Sequence, residues 1–224
     1  MSFESKLMGI KTDILMDKEI FDFWYEKMPL YRKKKIDAMK PEKGKRASLG
    51  AGILLAKGLE MYGIEDAEID FVPNGKPCLK GRDDLFFNLS HSGDMAVCAF
   101  AGTEIGADVE QNTAFKENLI NYIFDEKEKD YIRSAGKDEE EMNAGFTSLW
   151  TMKESIMKYS GKGISMSPKE IFVDIENGSR IYYKGEELKD YFLRTFEYRG
   201  YQICVCKGDG AFEAGLEFAD ISIQ

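Results

Sequence analysis

The spacing of apolar residues in the first half of the chain changes from a helical period to short strand-like segments. A strand is predicted over Lys6–Thr12. Apolar side chains then recur three or four positions apart, as in helices with one buried face. The predicted helices are Asp17–Met28, Arg32–Met39 and Lys45–Met61. Short apolar segments between turn dipeptides predict strands. These strands are Glu68–Val72, Phe86–Leu89, Met95–Ala101 and Ile105–Glu110.

The second half of the chain repeats this order of helices followed by strands. Its predicted helices are Phe115–Phe124, Glu126–Ala135 and a long Asp138–Tyr159. Alternating or aromatic-rich segments with glycine turns between them predict further strands. They are Ile171–Ile175, Arg180–Tyr183, Tyr191–Tyr198, Tyr201–Lys207 and Ala214–Phe218. Each half therefore reads as a long helix packed on an antiparallel sheet.

Turn dipeptides also recur between the halves at a nearly constant offset. Asn74-Gly75 is matched by Asn177-Gly178, and Lys80-Gly81 by Lys184-Gly185, at offsets of 103 and 104 residues. We interpret this as a duplicated unit, although a coincidence of common turn signals is the alternative. The prediction is an α+β fold of two similar lobes with pseudo-two-fold symmetry, residues 1–104 and 105–224. A cleft between two such lobes is a usual place for a ligand.

Composition and charge narrow the classes of function. The chain has 224 residues, 43% hydrophobic and 32% charged, so a soluble globular protein with a sizeable core is expected. Its net charge of −9 argues against general nucleic-acid binding, which needs a basic surface. Residues 1–50 differ, because Lys and Arg outnumber Asp and Glu by 12 to 8 there. This basic segment is a candidate for binding an anion.

Targeting and zinc-binding signals are missing from the sequence pattern. No apolar run reaches the roughly 18 residues of a membrane span, and the first residues lack the order of a signal peptide. We therefore expect a cytoplasmic protein that does not contact membranes. The four cysteines contain no C-x-x-C motif and the one histidine is His91, so structural zinc is not expected. Cys204 and Cys206 are predicted to be reduced packing residues of a strand.

Two predicted elements carry acidic side chains that can meet. In the strand Ile105–Glu110, side chains alternate, so Asp108 and Glu110 share one face. A solvated strand face is the alternative interpretation. On the long helix, Lys153 and Glu154 interrupt or border the apolar stripe, which suggests a cleft where charge is required. Lys158 lies four residues after Glu154 and can form a simple surface ion pair with it.

The combination of these groups indicates a type of chemistry. Three carboxylates without a histidine pair suit Mg²⁺, which prefers oxygen ligands, and neighbouring lysines suit phosphate oxygens. This is the equipment of phosphoryl-group transfer, in which positioning and charge neutralisation provide most of the catalysis. His91 lies at a strand end, where a hydrogen-bonded turn residue is the ordinary interpretation. A Ser–His hydrolase is set aside because no G-x-S-x-G elbow exists.

Four segments resemble the ordered motifs of the Sfp-type 4′-phosphopantetheinyl transferases. They are Asn74-Gly75-Lys76-Pro77, Phe87-Asn88-Leu89-Ser90-His91-Ser92, Ile105-Gly106-Ala107-Asp108-Val109-Glu110 and Trp150-Thr151-Met152-Lys153-Glu154-Ser155-Ile156-Met157-Lys158. Their order and spacing match over roughly residues 45–165. Each motif alone is weak, whereas four in register are specific. The resemblance implies a pseudo-symmetric, two-lobed monomer, in agreement with the repeat.

The resemblance also implies an activity, the transfer of phosphopantetheine from coenzyme A to a serine of an apo acyl or peptidyl carrier protein. Asp108, Glu110 and Glu154 would then hold Mg²⁺, and Glu154 or a metal-bound water would take the serine proton. The implied phosphate and nucleotide ligands are Lys158, His91, Ser90 and Lys76. Lys153 would support the same site and is implied to be a catalytic residue, together with Glu154, Lys158 and His91. For the 3′-phosphate of the donor the implied ligand is Arg46, with Lys34 and Arg32 as alternatives in a basic run of ambiguous register.

Two other classes of function remain open at this point. A Mg²⁺-dependent hydrolase of coenzyme A or of a nucleotide pyrophosphate would use the same carboxylates with water as acceptor. A module that only binds a carrier protein or nucleotide is the other class, and the retained carboxylates and lysines argue against it. The sequence does not identify the carrier protein, its pathway or the surface that binds it.

Overall fold

The computed structural model describes residues 4–175, 180–210 and 212–223. The helices of this part of the chain are α1 (Lys18–Glu26), α2 (Leu30–Asp37), α3 (Glu42–Met61), α4 (Glu117–Ile123), α5 (Glu126–Ala135) and α6 (Glu139–Tyr159). Its strands are β1 (Lys6–Lys11), β2 (Ile69–Phe71), β3 (Pro77–Leu79), β4 (Phe86–Ser92), β5 (Met95–Ala101), β6 (Ile105–Gln111), β7 (Ile171–Asp174), β8 (Arg180–Tyr183), β9 (Glu186–Glu187), β10 (Phe192–Tyr198), β11 (Tyr201–Lys207) and β12 (Leu216–Phe218).

Polar side-chain caps begin three of the six described helices, α1, α5 and α6, whereas α2, α3 and α4 begin without one. Asp17 accepts hydrogen bonds from the Glu19 and Ile20 amides at the start of α1, and Asp138 caps α6 through the Glu141 amide. All six predicted helices are present. The sequence pattern does not predict β3, because this strand has only three residues and begins with a proline.

The first sheet has the strand order β12-β1-β5-β4 and packs on α3. β1 pairs antiparallel with β5, and β5 pairs antiparallel with β4. Helix α3 buries Leu49, Ile53 and Leu54 in the core beneath this sheet, together with Phe100 of β5. The edge strand β12 comes from the end of the chain and runs parallel to β1.

The second sheet has the order β10-β11-β6, is antiparallel throughout and packs on α6. Leu149 and Ile156 of α6 are fully buried beside Cys204 and Cys206 of β11. Both cysteines are free and fully buried, which confirms the prediction that they are reduced packing residues. Two smaller sheets, β2-β3 and β7-β8-β9, lie outside these layers.

A third apolar cluster joins the two main sheets. It contains Val97 and Ala99 of β5, Ala107 and Val109 of β6, and Ile203 of β11, all completely or almost completely buried. The α+β class is therefore confirmed, with each large sheet packed on one long helix. The pseudo-two-fold relation and the division at residue 104 stay predictions, and Asn177-Gly178, one of the repeated turns, lies outside the described residues. Over the described ranges, no helix is both long and apolar enough to cross a membrane.

Candidate active site

A cleft of about 740 Å³ opens where β4, β6, α6 and the basic helix α2 come together. The turn between β2 and β3 forms a further part of its wall through Asn74, Gly75 and Lys76. Nine of the eleven predicted site residues line this cleft, namely Arg32, Lys34, Lys76, Ser90, His91, Asp108, Glu110, Glu154 and Lys158. Residues that are distant in the sequence are thus brought to one cavity.

Strands β4 and β6 place the acidic side chains by a ladder of polar contacts between their facing sides. The contacts are Ser90 Oγ to Asp108 Oδ1 at 2.7 Å, Ser92 Oγ to Glu110 Oε2 at 2.6 Å, and the Ala107 amide to Asn88 Oδ1 at 3.0 Å. Alternation along both strands explains the pattern, because every second residue of β4 faces every second residue of β6. The serines therefore orient the carboxylates that the sequence predicts to share one face.

Electrostatic repulsion is strong among the three carboxylates. Burial, and then the charge of Asp108, raise the pKa of Glu110. Burial and the same neighbour raise the pKa of Glu154 to about 7, although Lys158 partly opposes this effect. Asp108 itself is only 2% exposed. In Glu110 and Glu154, burial and the neighbouring negative charge both disfavour the ionised form, and a cation is stabilised at such a place.

The donor set fits a hard divalent cation, although the described residues form no preformed cage. Among the described residues, no three histidine, cysteine or acidic side chains converge closely enough to hold a metal ion. Asp108 Oδ2 is nevertheless buried and has no hydrogen-bond partner in the described part of the chain. Carboxylate oxygens are the ligands that Mg²⁺ prefers. Asp108, Glu110 and Glu154, which line the same cleft, are the residues that would hold it.

Lys158 is the cation in direct contact with the carboxylate cluster. Its ammonium donates to Asp108 Oδ1 at 2.6 Å and to Ser90 Oγ at 2.8 Å. The sequence alone suggests a surface pair with Glu154 on the same helix. The observed partner is instead Asp108, across the cleft, because the last turn of α6 lies against β6.

The cations of α2 form the opposite side of the cleft. Arg32 is only 4% exposed, and its Nε has no hydrogen-bond partner among the described residues. Lys35 also lines the cleft, and burial followed by the charge of Arg32 lowers its pKa. His91 lies in the cleft wall, where desolvation and then the charges of Lys35 and Lys158 lower its pKa. These groups leave an excess of positive charge facing the carboxylates, as an anion site requires.

The sequence analysis missed several residues of the cleft. Lys35 is one of them, because the basic run in α2 allows several registers. The rings of Tyr31 and Phe71 lie edge to face with centroids 6.0 Å apart and line the cleft. Asn74 Nδ2 donates to the Gly161 carbonyl oxygen at 2.6 Å and so links the β2–β3 turn to the end of α6. No periodic signal in the sequence indicates this contact.

Lys153 does not reach the cleft, so the predicted catalytic role of this residue is corrected. Its ammonium is completely buried and pairs with Glu128 Oε2 of α5 at 2.7 Å. It also donates to three backbone carbonyl oxygens, those of Ile123, Pro168 and Ile171. Position 153 falls on the apolar face of α6, which packs away from the site. Lys153 therefore joins α6 to its neighbouring segments.

Arg46 and Lys76 contact acidic groups outside the carboxylate cluster. The Arg46 guanidinium faces Asp94, with Nη2 3.8 Å from Oδ1, and the residue does not line the cleft. Lys76 lines the cleft, but its ammonium bonds to Glu104 Oε2 at 2.6 Å and to the Ile105 carbonyl oxygen at 3.0 Å. Of the cations predicted to bind a phosphate remote from the metal, Arg32 and Lys34 are the ones that line the cleft.

Gly106 sets the distance between β6 and α6. A Cβ at this position would overlap the Ser155 carbonyl oxygen and the Tyr159 amide of the helix backbone. We expect Gly106→Ala to lower the free energy of unfolding by about 1–3 kcal/mol, because helix and strand must separate. Urea denaturation measures this change. Gly215→Ala is the control, since a Cβ there meets no atom within 4 Å, and an equal loss in both variants would contradict the close-packing argument.

Comparison with known proteins adds an independent observation. A sequence profile described as the 4′-phosphopantetheinyl transferase superfamily matches residues 104–206. The 4′-phosphopantetheinyl transferase Sfp of Bacillus subtilis (strain 168) is 31% identical over 172 residues, which cover 74% of this chain and 75% of the relative. The transferase gsp of Aneurinibacillus migulanus is 26% identical over 205 residues, 90% of this chain and 85% of the relative. HetI of a Nostoc species is 35% identical over 133 residues, 56% and 55% of the two chains.

Proposed function

The chain belongs to the 4′-phosphopantetheinyl transferase superfamily, and from this membership we propose that it transfers phosphopantetheine from coenzyme A to a serine of an apo carrier protein. One observation connects the proposed activity with the residues of the cleft. Three carboxylates line the same cleft as His91 of β4 and the cations of α2 and α6. This arrangement provides for a metal-bound pyrophosphate and for the remote phosphate of the donor.

The proposed reaction replaces the bridging oxygen of the donor's pyrophosphate, on one phosphorus atom, by the serine oxygen of the carrier. The serine oxygen of the carrier forms a bond to the phosphorus that carries pantetheine, and the bond from that phosphorus to adenosine 3′,5′-bisphosphate breaks. Glu154, which lines the cleft, or a water molecule beside it accepts the serine proton. Lys158 and His91 bind phosphate oxygens. Mg²⁺ held by Asp108, Glu110 and Glu154 would neutralise charge on the pyrophosphate.

A hydrolase of coenzyme A would use the same groups, so the acceptor decides between the two activities. The protein is incubated with coenzyme A and Mg²⁺, with and without an apo carrier protein, and adenosine 3′,5′-bisphosphate is quantified by chromatography. We expect its release to depend on the carrier. Equal release without a carrier would instead indicate hydrolysis. The proposal includes a monomeric, cytoplasmic enzyme, which light scattering and cell fractionation check.

The raised pKa of Glu154 predicts how metal binding depends on pH. Glu154 binds its proton more tightly in the folded than in the unfolded protein, so its contribution to stability falls as pH rises from 4.5 to about 7. A divalent cation binds the ionised carboxylates and offsets this loss. We expect Mg²⁺ to raise the melting temperature at about pH 8 and to have little effect at about pH 5.5, with roughly 2–4 °C for each kcal/mol of binding free energy.

Differential scanning fluorimetry with Mg²⁺ and with matched ionic strength measures this difference. Glu154→Gln provides the control, because an amide has no proton to exchange for the metal and keeps the size of the side chain. The same stabilisation of the wild type at both pH values would contradict the metal assignment.

Three cations are candidates for binding the donor's 3′-phosphate, namely Arg32, Lys34 and Arg46. Dephospho-coenzyme A lacks this phosphate, so the ratio of kcat/KM for the two donors reports its contacts. We expect Arg32→Gln to reduce the wild-type preference for coenzyme A by roughly tenfold or more, since a charge-assisted hydrogen bond is lost. Lys34→Gln should have a smaller effect, because its ammonium is exposed.

Arg46→Gln is the informative comparison, because Arg46 faces Asp94 rather than the cleft. It should keep the donor preference. If instead Arg46→Gln alone abolishes the preference, the family-based assignment of Arg46 is correct and that of Arg32 is wrong. Thermal melting of each variant shows whether it is folded.

A further inference from the structure

Lys158 already neutralises the carboxylate that the proposed function assigns to the metal. Its Nζ lies 2.6 Å from Asp108 Oδ1, and the side chains are 27% and 3% exposed respectively. Ser90 Oγ lies within hydrogen-bond distance of both, 2.8 Å from the lysine and 2.7 Å from the aspartate. A protein cation and a metal ion therefore require the same carboxylate group.

A divalent cation at Asp108 weakens the contact between this residue and Lys158. Two positive charges held against one carboxylate group repel each other strongly where water is excluded. The second oxygen, Oδ2, is buried and has no hydrogen-bond partner among the described residues, so it keeps an unused acceptor position for a cation that enters the cluster. Glu110 and Glu154 face the same cleft and favour a divalent over a monovalent cation, because three carboxylates exceed the charge that one lysine supplies.

The Lys158 side chain is able to move away from Asp108. The residue lies on the last turn of α6, its side chain is partly exposed, and it lines the cleft. An ammonium on a flexible stem is readily rehydrated, unlike the completely buried Lys153. The open volume beside it is the place where the donor's phosphates are proposed to bind.

We propose that Lys158 is a resident counter-cation of Asp108, that a divalent cation displaces it, and that the released ammonium then binds a phosphate of the donor. This inference rests on the proposed function. It explains how one lysine serves the free and the loaded site in turn. It also couples the binding of the metal ion to that of the donor phosphate. A phosphate that attracts Lys158 away from Asp108 strengthens metal binding. The metal strengthens phosphate binding by the same factor.

Direct titration with Mn²⁺, followed by the electron paramagnetic resonance of the free ion and without any donor, tests the competition. We expect Lys158→Met to bind Mn²⁺ about tenfold more tightly than the wild type, because no ion pair must be broken. Lys34→Met is the matched control, since it removes the same charge from the same cleft and Lys34 makes no ion pair or hydrogen bond with Asp108, so it should change the affinity much less. Equal affinities of Lys158→Met and the wild type would overturn the inference.

A second measurement uses only the wild-type protein and covers the case in which Lys158→Met does not fold. Lysine amines are acetylated briefly with and without Mg²⁺, and mass spectrometry quantifies each site. Labelling of Lys158 should rise with Mg²⁺ while that of Lys34 stays constant, and unchanged labelling of Lys158 in a protein that binds Mn²⁺ would overturn the inference alone. If the wild type binds no Mn²⁺ with or without coenzyme A, the metal of the proposed function fails as well.

Discussion

Replacing Glu154 by glutamine, or Asp108 by asparagine, is expected to lower kcat for transfer by roughly 10³-fold or more. Each change removes a proposed metal ligand, and the first also removes the proposed base, while the side-chain volume is kept. Both residues face a cleft rather than the apolar core. The melting temperature should therefore change by only a few degrees, and steady-state kinetics with thermal melting measures both quantities.

Glu60→Gln is a suitable control, because Glu60 is exposed on α3 and does not line the cleft. It should retain wild-type kcat. Near-normal turnover by Asp108→Asn at saturating Mg²⁺ would remove this residue from the metal site, and the same result for Glu154→Gln would exclude it as the base.

Lys153→Met is expected to act on stability rather than on chemistry. The ammonium is completely buried, and the variant leaves the Glu128 carboxylate without its cation. Burial raises the pKa of Glu128 and lowers that of Lys153, so each charge depends on the other. Breaking such a pair from one side typically costs about 3–5 kcal/mol. Urea denaturation should show a loss of this size.

The double variant Lys153→Met with Glu128→Gln distinguishes a stabilising role of Lys153 from a catalytic role. Because it removes both buried charges, it should lose less stability than the sum of the single variants. A catalytic role would give the opposite result, with wild-type stability in Lys153→Met and a large fall in kcat. That outcome would restore the original prediction for this residue.

The case of Lys153 shows what a periodic pattern can and cannot establish. Seven residues separate Phe146 from Lys153, so the pattern correctly places both on the buried face of α6. It does not identify the partner, because Glu128 lies 25 residues earlier on another helix. The neighbouring Glu154 points to the other side of the helix and reaches the cleft, as predicted.

In the strands, too, the periodic pattern predicts which residues share a face but not their partners. Alternation in β6 is sufficient to predict that Asp108 and Glu110 share a face. It cannot predict that Ser90 and Ser92 of β4 bond to them, since β4 and β6 belong to different sheets. The motif that contains Ser90 is recognised only through the family resemblance.

The basic run of α2 was the least determined part of the site. Consecutive cations leave the helix register open, and the tertiary structure selects Arg32 by burying its stem against α3. Arg46 is the opposite case. The family resemblance favours this residue as a phosphate ligand, but its side chain is oriented toward Asp94. Side-chain direction in both cases depends on packing between helices, which no local pattern contains.

The transfer reaction itself is tested most directly by the intact mass of the acceptor. A panel of apo carrier proteins from fatty-acid, polyketide and nonribosomal-peptide synthesis is incubated with the protein, coenzyme A and Mg²⁺, with Glu154→Gln as the inactive control. We predict that at least one carrier gains the mass of a single phosphopantetheine group, and that replacing its acceptor serine by alanine abolishes the gain. A panel that keeps its apo mass throughout, while coenzyme A is cleaved to adenosine 3′,5′-bisphosphate, would contradict the account.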